Sequence, residues 1–459
     1  MKHWQVNQKN LKNHEMNINH THPQIPEYLP GEPVPPGSTF LFSLIRIFGR
    51  TAGLILLAIL TSPLWLFYWL GIVFWGSPPN VPKFWQVKRY LHLVWTSKPP
   101  APGIPLDKRY MLTLAVFLKV VFAPVLGLAW FLDELLYGRV LNSTKVIAPL
   151  IEISAGRSGS TQLARYLEDD PRLVAPSLLQ SLFPYLWLWK LAPSTIGRIL
   201  SPDAFRRFLE RQLPKEFLER HEGDPFRTDT FDGAIYTTHF NSLAFHLGPE
   251  VAVEDFGFAR ISPHNRSLWE VEFIQLFDRI ARKTLAFAGN GTNGERPRFF
   301  VKGHFLCAAD ALEEKYPDAS FLCMIREPAA RLQSAINYIR VNPHDSALGP
   351  LPWGWLVDAL TRTETEYCEV EQQWFSRHGG AKRFVIRFAD FVADLQKTMM
   401  GVYSFCFGDK ALPPHVPHEH PPRERKKYRI NRSNADLGID ESQLNSRLAS
   451  YLDWCKKSE

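Results

Sequence analysis

The stretch VIAPLIEISAGRSGSTQLARYLEDD, residues 146–170, constrains the fold of this 459-residue chain more than any other. An apolar run, Val146 to Ile153, meets a small-residue loop, Ser154 to Ser160, and then a helical pattern with Leu163, Tyr166 and Leu167 on one side. That order reads strand, tight loop, helix. Such a junction aims several backbone N–H groups and the positive end of the helix dipole at one point, which is how a chain binds phosphate. Gly156 and Gly159 allow close backbone approach. The Lys-Ser/Thr pair that follows the last glycine in GxxxxGK[ST] is missing: Ser160 and Thr161 follow it here, and the cation, Arg157, comes earlier. An ATPase or GTPase is therefore a poor fit.

Beyond residue 145 apolar runs alternate with helical periodicity. RFFVK (298–302), ASFLCMI (319–325) and RFVIRF (383–388) read as strands, and 309–316, 329–340 and 391–408 as helices. This pattern predicts an α/β domain over 141–459, with a central, mostly parallel sheet flanked by helices.

Two regions precede it. Residues 1–39 are polar and proline-rich, which predicts a disordered tail. Residues 40–140 hold two hydrophobic segments. No charge occurs from Thr51 to Pro82, and 111–132 carries only Lys119; Pro63 and Pro124 interrupt the two runs. Trp65, Tyr68, Trp69 and Trp75 suit a membrane interface. Two kinked transmembrane helices and two hairpins lying in one leaflet both fit, with membrane lipid as partner. On this reading the catalytic domain stands alone from about Asn142. Residues 1–50 and 77–110 carry similar numbers of Lys and Arg, so they do not set an orientation. Five sequons, at Asn19, Asn142, Asn265, Asn290 and Asn431, suit a Golgi lumen in a eukaryote, whereas five scattered cysteines without a CxxC pair suit a reducing, cytoplasmic setting. A net charge of +7 on so long a chain does not select nucleic acid as a partner.

GRSGST (156–161) resembles the 5′-phosphosulfate loop of sulfotransferases that use 3′-phosphoadenosine 5′-phosphosulfate, PAPS. Three further segments resemble that family in order. FLCMIREPAARLQSAINY resembles its 3′-phosphate segment, placing Arg326 and Ser334 on the binding residues, with Glu327 where Asp is usual. PRFFVKGHFL resembles its K-T-H-L-P segment, placing Lys302 and His304 on the catalytic residues, with Gly303 where Thr is usual. RFVIRFADFVADLQKTMMGVYSFCFG resembles its late strand and helix.

The resemblance, which covers residues 145 to about 455 and is silent on the hydrophobic segments, implies a sulfotransferase that moves the sulfuryl group from PAPS to a hydroxyl or amine; the hydrophobic segments make it membrane-associated. Arg157, Ser158, Gly159, Ser160, Thr161, Arg326 and Ser334 are then donor-binding residues, His304 the base and Lys302 the cation at the leaving oxygen. No metal is expected. The acceptor, a lipid, glycan or small alcohol, is left open. A kinase on the same scaffold and a non-catalytic membrane protein of the same fold are the alternatives. Asp229, Asp232 and His239 are substrate-side candidates. His415, His418 and His420 lack a fourth ligand for a metal, and the basic run 423–432 fits either a solvated face or a loop over the 3′-phosphate.

Overall fold

The computed structural model describes residues 40–191, 207, 211, 224–256, 259–289, 296–339, 348, 351–409, 411–419 and 431–457. The tail 1–39, most of 192–223 and residues 423–430 of the basic run lie outside the described residues.

Four helices open the described chain: α1 (Phe40–Thr61), α2 (Leu64–Trp75), α3 (Phe84–Thr96) and α4 (Leu106–Ser143). The sheet then begins with β1 (Leu150–Ile153), followed by α5 (Ser160–Glu168), β2 (Leu173–Val174) and the short helices α6 (Leu178–Leu182) and α7 (Leu186–Leu191). A helical region holding α8 (Gly233–Thr238) and α9 (Phe273–Ala288) leads to β3 (Arg298–Gly303). The remaining order is α10 (Ala309–Lys315), β4 (Ser320–Ile325), α11 (Pro328–Ile339), α12 (Trp353–Phe375), β5 (Lys382–Arg387), α13 (Phe388–Ala393), α14 (Leu395–Phe407), α15 (Glu441–Arg447) and α16 (Ala449–Lys457).

The five strands are all parallel in the order β2-β3-β1-β4-β5, with Glu152 opposite Lys302 and Leu322. Both faces are covered, as a parallel sheet requires. Ile151, Val301 and Phe321 pack under α9 and α12 through Phe277, Tyr367 and Trp374. Leu150, Phe300 and Leu322 pack under α5 and α14 through Leu163, Leu167, Met399 and Tyr403.

The expected α/β sheet is present, with local differences. β1 starts at Leu150 rather than Val146, because Ala148 takes a left-handed turn (φ 44°) whose N–H donates to Asp318 at 2.6 Å. The expected helix over 391–408 is two helices. Asp394 breaks it and caps the second, its carboxylate accepting from Lys397 N at 2.9 Å, and Gly408 ends that helix in the left-handed region.

The N-terminal helices pack into the core of the domain. Tyr68, Val81, Trp130, Phe131 and Leu141 belong to the same buried cluster as Ile151, Phe277 and Phe299. Asp133 of α4 is fully buried, pairs with buried Lys283 of α9 at 2.9 Å and accepts from the N–H groups of Leu186 and Trp187. A burial of this kind is stable only while both partners are present. Among the described residues one helix, α4, is long and apolar enough to cross a membrane; Ile47–Thr61 and α2 pass the same test together but meet at 60°.

Candidate functional site

The strand order reverses direction at β1: the chain goes to β2 and β3 on one side and to β4 and β5 on the other. In an open parallel sheet the crevice beyond the carboxyl ends of the strands at such a point is where ligands bind. The loop 154–159 lies there. Arg157 (φ 68°) and Gly159 (φ 101°) both take left-handed backbone, which folds the loop back onto the start of α5. A Cβ on Gly159 would stand 2.6 Å from the Phe388 ring, so only glycine fits. Ser158 is buried and its hydroxyl donates to Ala155 O at 2.7 Å, closing the loop. Ser160, also buried, opens the helix.

Beside the loop, β3 ends in Lys302-Gly303-His304. Lys302 is buried and its Nζ donates to Thr161 Oγ1 at 2.8 Å and to Asp229 Oδ1 at 3.1 Å. The 229–232 segment runs alongside, with Phe231 N donating to Lys302 O at 2.9 Å. Asp232 Oδ1 accepts from His304 N at 2.8 Å and from Thr230 Oγ1 at 2.5 Å. This explains Gly303: a Cβ there would meet the Phe305 ring at 2.3 Å and Asp232 Oδ1 at 2.7 Å.

His304 Nδ1 lies 2.9 Å from the carbonyl oxygen of Ser154. A carbonyl only accepts, so Nδ1 carries the proton and Nε2 keeps its lone pair. Nε2 looks toward the loop, since a Cβ on Gly156 would stand 3.8 Å from it. Burial pushes the His304 pKa below its ordinary value; Asp232 works against that shift and Lys302 adds to it. Glu152, beneath the loop on β1, is fully buried, and burial pushes its carboxyl up to about 8.

The third group comes from β4 and α11. Arg326 Nη1 donates to Arg157 O at 2.9 Å, and its guanidinium lies over Phe388, 4.8 Å from the ring centre. The Arg157 side chain does not turn into its own loop: Nε donates to Ser334 Oγ at 2.9 Å, and the guanidinium sits over Tyr338. The cation beside Thr161 is therefore Lys302, and Arg157 joins the Arg326 and Ser334 group. Glu327 caps α11, its carboxylate accepting from Ala329 N at 3.0 Å and Ala330 N at 2.6 Å. The C-terminal segment docks on the same helix, since Gln333 Nε2 donates to Arg432 O at 2.8 Å and Arg432 N to Asn337.

All nine residues singled out as catalytic or donor-binding thus lie around one loop. Asp229 and Asp232 join them through Lys302 and His304. His239 does not: its ring nitrogens lie 2.9 Å from Thr238 Oγ1 and 3.2 Å from Glu272. His415 is taken up by Tyr403 and the Tyr166 carbonyl, and His420 lies outside the described residues. Among the described residues no group of three His, Cys, Asp or Glu could hold a metal. Tyr338 and Phe388, the aromatic supports of Arg157 and Arg326, escape sequence reasoning; Phe388 directly follows β5, the only signal that could have found it.

A family model described as "Sulfotransferase family" matches residues 149–408, more than half of the chain. The protein belongs to the sulfotransferase family. In fold it is similar to the sulfotransferase STF9 from Mycobacterium avium, with a TM-score of 0.55 and 18% identity over 84% of this chain and 95% of that one. It is similar also to STF1 from Mycobacterium tuberculosis H37Rv, with a TM-score of 0.51 and 17% identity over 83% and 97%. No curated protein sequence matches it. An 84% share is more than residues 141–459 can supply, so the likeness to STF9 takes in part of the N-terminal helices.

Proposed function

We propose that this protein transfers the sulfuryl group of PAPS to a hydroxyl or amine of an acceptor, and that it works at a membrane. The observation that carries the reading is the convergence of Lys302 with Thr161 on one side of the loop and of Arg157, Arg326 and Ser334 on the other. The donor is a polyanion with two phosphate-bearing ends, and such a ligand asks for two cationic groups and a row of N–H donors between them. The residues fit it: Lys302, Thr161 and the backbone amides of 158–161 suit the 5′ end, and Arg326, Ser334 and Arg157 the 3′-phosphate. PAPS would supply the activated sulfuryl group itself.

The chain's own part is to hold the acceptor and manage charge. His304 Nε2, unprotonated and held by Ser154 and Asp232, takes the proton of the acceptor hydroxyl or amine. Lys302 offsets the negative charge left on the departing oxygen, and Asp229 holds that ammonium in place. The S–O bond to the donor breaks as the new S–O or S–N bond forms, a displacement in which positioning and electrostatics dominate.

Calorimetry with 3′-phosphoadenosine 5′-phosphate, the donor without its sulfate, tests the reading. Arg326→Ala is expected to weaken binding by about 1.5–3 kcal/mol, the usual worth of a charge-assisted hydrogen bond. Equal affinity in wild type and variant would overturn it.

A further inference from the structure

All but seven of the exposed large apolar side chains among the described residues lie between Phe48 and Ile147. They form the outer side of a helical layer. α1 and α2 run along α4, with Thr51 beside Tyr110 and Tyr68 and Trp75 against Phe131. Ile59, Leu60, Phe67, Val73 and Phe74 face away from the protein at 57–79% exposure, and Leu118, Leu135 and Leu136 of α4 do so as well.

Three charges of α4 face the other way. Asp133 is buried against Lys283, Glu134 pairs with Arg279, and the charge of Lys119 acts on His239 in the catalytic domain. Contact with the domain continues along the helix. At one end Leu112 and Val116 share a core with Phe240 and Leu243. At the other, Arg282 of α9 donates to Thr144 O at 2.9 Å. A helix of 38 residues is about 57 Å long, nearly twice the hydrocarbon thickness. Were it to span, it would draw α9, with Asp278, Arg279, Arg282 and Lys283, into lipid beside it, where charges are costly.

We propose that α1, α2 and α4 form an in-plane platform that enters one leaflet without crossing the bilayer. The inference rests on the membrane association proposed above and fixes its geometry. Charge argues for anionic lipid over a second copy of the chain as the occupant. Residues 40–145 hold eleven Lys and Arg and three Asp and Glu, a net +8 on a chain whose total is +7. Arg50, Lys88, Lys98, Arg139 and Lys145 are exposed on this segment, together with Trp69, Trp75, Trp85 and Trp95. An exposed apolar face on a segment rich in exposed cations and indoles matches a headgroup layer, whereas two copies would bring like charges together.

The test is flotation of the full-length protein with phosphatidylcholine vesicles containing phosphatidylserine, followed by labelling with a membrane-impermeant maleimide. Ser77→Cys lies between α2 and α3, and His378→Cys lies on the catalytic domain; both positions are exposed, and the native cysteines are buried or half-buried. The platform predicts that the protein floats and that both cysteines label without detergent. Leu70→Asp/Phe74→Asp, which alters only exposed positions, is expected to lower vesicle partitioning about tenfold or more and to leave binding of 3′-phosphoadenosine 5′-phosphate unchanged. Flotation with Ser77→Cys protected and His378→Cys labelled would overturn the in-plane geometry and leave membrane association standing. Flotation of the double variant equal to wild type would overturn the assignment of this face. A protein that stays with the soluble fraction would overturn both readings, and a dimer by light scattering would then identify a second copy as the occupant.

Discussion

The imidazole of His304 is held by two main-chain interactions, Nδ1–H to the Ser154 carbonyl and its own N–H to Asp232. Together they select the tautomer and fix the ring. His304→Ala is expected to lower turnover by about 10²- to 10⁴-fold, the usual worth of a positioned base, with affinity for 3′-phosphoadenosine 5′-phosphate nearly unchanged. Near-normal turnover would move the base elsewhere, Asp229 first. Burial disfavours the imidazolium, so the unprotonated form persists to lower pH than in a free histidine. The turnover rate of the wild type should therefore rise with pH through a midpoint below about 6.5 and stay flat through neutrality. A midpoint at or above that value would contradict the neutral, half-buried imidazole. The resemblance of PRFFVKGHFL to the family's K-T-H-L-P segment brought His304 and Lys302 out of the sequence. The sequence marks Asp229 and Asp232 only as substrate-side candidates; that they hold Lys302 and His304 is not legible there, because they lie some seventy residues away and meet β3 only through the fold.

At the level of elements, α11 carries the argument. Its first turn is capped by Glu327, its middle brings Ser334 to Arg157, and its far side holds Arg331. Arg331 is fully buried, donating to Glu364 at 2.6 Å and Glu371 at 3.3 Å on α12, and Tyr451 of α16 donates to Glu371. Arg331→Ala would leave these buried carboxylates without their cation. We expect a stability loss of about 3–5 kcal/mol, read by urea denaturation, and weaker binding of 3′-phosphoadenosine 5′-phosphate because Ser334 rides on the same helix. A loss within about 0.5 kcal/mol, the range of an ordinary surface change, would show that the network does not anchor α11. The helical period of 329–340 was readable, but α12 was missed although Pro352 and the apolar spacing after it mark a helix start. Its role, to supply two carboxylates to one arginine, belongs to the packing.

At the level of the whole molecule, the N-terminal helices complete the core of the catalytic domain. A protein beginning at Asn142 would lose Trp130 and Phe131 from the cluster under the sheet and Asp133 from Lys283. It is expected to lose its near-ultraviolet circular dichroism and its cooperative thermal transition, since an uncompensated buried ammonium alone costs about 3–5 kcal/mol. A sharp transition close to that of the full-length protein would show that the domain stands without them.

Local pattern determined the strands and the loop, because a strand's apolar run, a glycine at a tight turn and the spacing of a helix face are properties of neighbouring residues; the binding segments came from resemblance to a family. Composition likewise marked 40–140 as apolar. Tertiary structure alone decided which way that region faces and what it touches: a hydropathy run looks the same whether it spans lipid or lies along a domain, and Asp133 reads as a charge in a membrane helix until Lys283 is seen opposite it. It also decided that the Arg157 side chain leaves its own loop for Ser334, a choice set by a left-handed backbone and by a helix 177 residues further along the chain.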